Sequence, residues 1–80
     1  MEKELASHVV RAAFRSATRL EELLPLLKDH CSEEEGKKYR TAIASAIAHI
    51  HRELTDKVFS AHPLLREEIE SIVNKYGRIL

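Results

Sequence analysis

Apolar residues recur along this chain with a helical period in three stretches of unequal length. Over about 2–30, Leu5, Val9, Ala12, Ala13, Ser16, Leu20, Leu23, Leu24 and Leu27 fall within about 120° on a helical wheel, with Val10 and Phe14 widening that face. Over about 33–61, Tyr39, Ile43, Ile47, Ile50, Leu54 and Val58 form a ridge, flanked by Ala42 and Ala46 on one side and Ala44 and Ala48 on the other. Over about 63–76, Leu65, Ile69, Ile72 and Tyr76 share a face in phase with Ile79, opposite Glu67, Glu70 and Asn74. No stretch alternates with the period of two that a half-buried strand requires, so the pattern predicts an all-α chain.

Punctuation fixes the ends of these segments. Ser32 followed by Glu35 matches a capping box, and Glu33 and Glu34 add negative charge at the positive end of the helix dipole. Gly36 in the first turn weakens that start. Pro63 suits the first position of the third helix, and Gly77 suits its cap. Pro25 lies inside the first pattern, where it lacks an N–H and presses on the carbonyl of Glu21. The apolar phase continues through Leu27, so a kink is expected there. The alternative is a break near Leu24 that makes four helices.

The mismatch of lengths carries the architectural argument. At 1.5 Å per residue the long helices run about 42 Å each and the third about 20 Å. One short helix cannot cover the stripes of two long ones. The expected fold is therefore two long antiparallel helices, the first kinked at Pro25, with a shorter third packed against them, in helical-bundle fashion. A second copy is expected to cover the remainder, giving a homodimer with a four-helix core. A core of this size rarely yields more than ~3–5 kcal/mol, whereas each fully buried Leu, Ile or Val contributes roughly 1.5–3 kcal/mol. The residues expected at that interface are Phe14, Ile43, Ile47, Ile50, His51 and Leu54. Phe59 falls off the ridge of its helix, which leaves it for a partner or for burial beneath the third helix.

Composition narrows the rest. Eighty residues make a single domain, 1–80, that is 44% hydrophobic and 32% charged, too apolar for disorder. Nine of its apolar residues are alanines, so large core side chains are fewer than that percentage implies. Thirteen basic residues balance thirteen acidic ones, which removes the general attraction of nucleic-acid or membrane binders and eases self-association. Cys31 is the single cysteine, so no intrachain disulfide forms. Met1-Glu2-Lys3-Glu4 lacks the basic-then-apolar order of a signal peptide, and no apolar run is long enough to span a membrane. A cytoplasmic protein is expected.

Several residues invite chemistry. His49 and His51 stand about 160° apart around a helix and cannot grip one ion together. His49 and Glu53 have the spacing of two ligands, but zinc needs three or four, so no metal site is expected. Cys31 precedes a helix start, which lowers a thiol pKa, while its neighbouring glutamates oppose that. Without a histidine and glycine-turn constellation it reads as a turn cysteine. No phosphate-cradling glycine loop or nucleophile elbow occurs. The chain is expected to be no enzyme and to carry no cofactor.

Arg11, Arg15 and Arg19 recur every four residues with His8 beside them, and no acidic residue lies between Leu5 and Leu20. Such a stripe suits phosphates or an acidic partner. It equally suits a solvated face paired with Glu67, Glu68 or Glu70. The leading expectation is a small cytoplasmic interaction or adaptor module that self-associates. The alternative is a nucleic-acid or phosphate-binding regulator using the arginine stripe, although the neutral charge and missing aromatics weigh against nucleic acid.

Overall fold

The computed structural model describes all 80 residues, and it is helical almost throughout. Helix α1 spans Lys3–Glu21 and α2 spans Leu23–His30. After a turn at Cys31 and Ser32, α3 runs Glu33–Ile50 and continues through a π-helical turn, His51–Thr55, into α4, Asp56–Ala61. Helix α5 spans Pro63–Tyr76. The chain is all-α, with no strand. It forms a long hairpin of two rods, α1–α2 against α3–α4, with α5 laid against one end, in an elongated body of 45 × 25 × 15 Å.

The helix ends follow the sequence signals. Ser32 is extended and its Oγ accepts the Glu35 N–H at 3.2 Å, so half of the capping box is made. Pro63 occupies the first turn of α5. Gly77 takes the left-handed conformation, φ 74°, and its N–H donates to the Val73 carbonyl at 2.7 Å. The first rod is interrupted by a single residue. Glu22 keeps helical angles, φ −62° and ψ −18°, so the chain bends and resumes as α2. The interruption falls three residues before Pro25, because the proline ring acts on the preceding turn and removes the N–H that would continue it.

The register of the core departs from the wheel in two places. In α1 the buried positions are Ala6, Val10, Ala13 and Ala17, while Leu5 is 55% exposed. The helix carries two adjacent apolar seams, and the chain buries the one richer in small residues. Alanines there let the other rod approach closely, and the bulk comes from Val58, Phe59, Leu65 and Ile69.

The second departure arises at the π turn. Asp56 donates its N–H to His51, five residues back, so the helix takes up about one extra residue there. In and just after this turn the buried side chains are Val58, from the same ridge as Ile47 and Ile50, together with Thr55 and Phe59, which lie off that ridge. Leu54, a ridge residue on an uninterrupted helix, is 47% exposed, and Phe59, off that ridge, is 7% exposed. Leu65 and Ile69 of α5 close over Phe59, and the Arg66 guanidinium stands 5.6 Å from its ring centre. Phe59 thus belongs to the core rather than to a partner.

The core consequently sits at one end. From Thr18 through Leu54 the sole buried residue is Gly36, which lies where the turn between α2 and α3 closes. Helix α5 covers the α1–α4 end of the hairpin and leaves the α2–α3 end without a third layer.

Candidate functional site

The uncovered end carries an apolar groove of about 690 Å³ between the two rods. Leu24 and Pro25 form one wall, and Ile43, Ala44, Ile47 and Ala48 form the other. The alanines expected to let helices approach here lie open instead, because the kinked α2 leaves their side free. Leu23, Leu26 and Tyr39 add exposed apolar surface at 43%, 55% and 50%. Two charged residues, Glu21 and Arg40, also line the groove, and neither is ion-paired. A concave apolar surface of this kind on a small domain suits docking of a helix.

Of the six residues expected at an interface, Ile43, Ile47 and Ile50 are half-buried and Leu54 is exposed. Phe14 and His51 are engaged inside the chain instead. Their rings meet edge to face, 5.3 Å between centres at 61°, and His51 Nδ1 lies 3.2 Å from Thr55 Oγ1. Thr55 is itself buried, so the π turn has its polar side chain satisfied within the fold. His51 is therefore held in place by its own chain while staying partly exposed. Glu21, Pro25 and Arg40 were not among the expected interface residues. Only the kink brings them to one groove.

The arginine stripe divides. Arg11 donates to Ser7 Oγ at 3.2 Å and to the backbone oxygen of Leu80. Arg15 and Arg19 line a second cleft, of about 600 Å³, with Thr18 and Glu22 of the same rod and Arg78, Ile79 and Leu80 of the segment that folds back after Gly77. The glutamates of α5 do not reach these arginines. Glu68 pairs with Lys3 at 2.7 Å and Glu70 with Arg66 at 3.1 Å. Arg78 was missed by sequence reasoning, although a left-handed glycine cap that turns the chain back toward its neighbours was the available signal.

The remaining candidates are occupied locally. His49 Nδ1 lies 3.1 Å from the Arg52 guanidinium, and Glu53 pairs with Lys57 at 2.9 Å. The Lys57 ammonium holds the Glu53 carboxyl below the usual carboxylate range. No three His, Cys, Asp or Glu side chains are placed to share an ion. Cys31 has its thiol pKa raised, first by partial burial and then by Glu35 beside it, so it is held as a neutral thiol. No helix is long and apolar enough to cross a membrane. Compared with known proteins, the chain matches no family model, no curated protein and no solved structure.

Proposed function

We propose that this chain is a small helical interaction module that assembles with a second copy of itself through the apolar face of α2 and α3. The observation that carries the reading is the one-ended core, with Gly36 the sole buried residue from Thr18 through Leu54. A face lined by Leu24, Ile43 and Ile47 and rimmed by Leu23, Leu26 and Tyr39 gains most by leaving water. Charge favours a like copy as the occupant. Glu21 and Arg40 are unpaired on the same groove, and in a two-fold contact each residue of one copy meets its counterpart of the other, so Glu21 can face Arg40 twice. Two hairpins joined this way form a four-helix core.

In this reading the module is not an enzyme, carries no cofactor, and serves as an adaptor through the surfaces a dimer leaves free. A cytoplasmic setting suits its single unpaired thiol. The test is mass in solution, by light scattering coupled to size exclusion over a hundredfold concentration range. The expected mass is about 18 kDa, twice the 9.2 kDa of the chain. A 9.2 kDa species throughout would refute self-association.

A second reading, a phosphate- or nucleic-acid-binding regulator, is supported by one observation. Arg15 and Arg19 have no carboxylate partner.

A further inference from the structure

The cleft beside α1 gathers three guanidiniums that have no carboxylate partner. Lys3, Arg52, Lys57 and Arg66 each have a carboxylate within 4.0 Å, whereas Arg15, Arg19 and Arg78 have none. Arg15 and Arg19 are one helical turn apart, so both guanidiniums reach the same side of the rod. Arg78 arrives from a different element. The left-handed Gly77 ends α5, and residues 78–80 return along α1, where Arg11 holds the backbone oxygen of Leu80 and Ile79 packs on the core. Three guanidiniums and a single side-chain carboxylate, that of Glu22, line this one cleft. Holding like charges together is unfavourable unless an anion joins them.

We propose that Arg15, Arg19 and Arg78, with the Thr18 hydroxyl, form a site for the phosphate or pyrophosphate group of a small organic phosphate. This rests on the second reading above and deepens it, naming the ligand class and the element that completes the site. Guanidiniums present paired N–H donors that match phosphate oxygens, and three of them outnumber the one side-chain carboxylate lining the cleft. The cleft, at about 600 Å³, is larger than an inorganic ion needs and lies within the range of small-molecule sites. Ile79 and Leu80 give it an apolar side against which the organic part of the ligand rests.

The test is isothermal titration calorimetry at low salt with inorganic pyrophosphate, a nucleoside diphosphate and a single-stranded oligonucleotide. The variants are Arg15→Ala, Arg19→Ala and Arg78→Ala, all of exposed residues outside the core, with helicity checked by circular dichroism. The expected result is binding of pyrophosphate, tighter binding of the diphosphate, and a loss of roughly ten- to a hundredfold in each variant, as for removal of a charge-assisted hydrogen bond. Binding lost in Arg15→Ala and Arg19→Ala but unchanged in Arg78→Ala would overturn the site built by residues 77–80 while leaving the regulator reading standing. Oligonucleotide binding without pyrophosphate binding would overturn the small-molecule class. No binding of any of the three would overturn both.

Discussion

Truncating Phe59 and, separately, Leu54 to alanine sets the π turn against an uninterrupted helical period. On a regular helix Leu54 belongs to the core ridge and Phe59 does not. In the fold the order reverses, with Phe59 7% exposed and Leu54 47%. Removing a buried phenylalanine ring costs about 3–5 kcal/mol. Full burial of a leucine is worth about 1.5–3 kcal/mol, so truncation at half exposure costs roughly 1 kcal/mol. A domain of 80 residues has about 4–12 kcal/mol in total, so Phe59→Ala removes a large part of it. At ~4–8 °C per kcal/mol for this size, Phe59→Ala lowers Tm by at least about 12 °C and Leu54→Ala by no more than about 8 °C. The assay is thermal and urea unfolding followed by far-ultraviolet circular dichroism. It is run at the lowest workable concentration, where any association adds least to stability. A loss in Leu54→Ala equal to or greater than that in Phe59→Ala would refute the change of register at His51–Thr55.

Ile43→Asp or Ile47→Asp places a charge in the α2–α3 groove and is expected to halve the mass in solution or unfold the chain, while Arg15→Ala leaves fold and mass unchanged. A folded dimer persisting in either aspartate variant would contradict the proposed interface. Gly36→Ala is expected to raise stability by about 0.4–1 kcal/mol, since it adds helix preference and its Cβ meets only ordinary contacts, 3.6 Å from the Leu27 oxygen and 3.9 Å from Cys31 Cβ; a fall in Tm would contradict this. Gly77→Ala does the opposite, costing about 1–2 kcal/mol because a side chain is strained at the positive φ of Gly77. Cys31 is expected to alkylate more slowly than a free model thiol at pH 8, and to speed up as pH rises through its elevated pKa or on Glu35→Gln. Alkylation faster than the free thiol at pH 8 would reverse that assignment.

Local signals carried most of the element map. Ser32, Pro63 and Gly77 mark helix ends through their own backbone chemistry, which neighbours in space do not alter. The length mismatch was also legible, since it needs only the extent of each apolar pattern. The buried face was harder to read. In α1 the seams of Leu5, Val9 and Ala12 and of Ala6, Val10 and Ala13 lie side by side, and burial follows what packs opposite rather than which seam is more hydrophobic. In the second rod the π turn depends on tertiary fit, and a single inserted residue moves Leu54 out and Phe59 in. The cleft at Arg15 and Arg19 was half legible, because spacing along one helix is local. Arg78 reaches it only through the return of the chain after Gly77.

The one-ended core also implies a gradient of opening along the hairpin. Backbone amides near Val10, Val58 and Ile69 exchange with solvent only when the whole domain comes apart, since these residues anchor all three layers. Amides of α2 and the first turns of α3 are tied down by little more than their own helical hydrogen bonds and the Gly36 turn, so that end breathes at far lower cost. The mouth of the apolar groove is therefore its most adaptable part, and a partner seated there would be felt first as slowed exchange in α2.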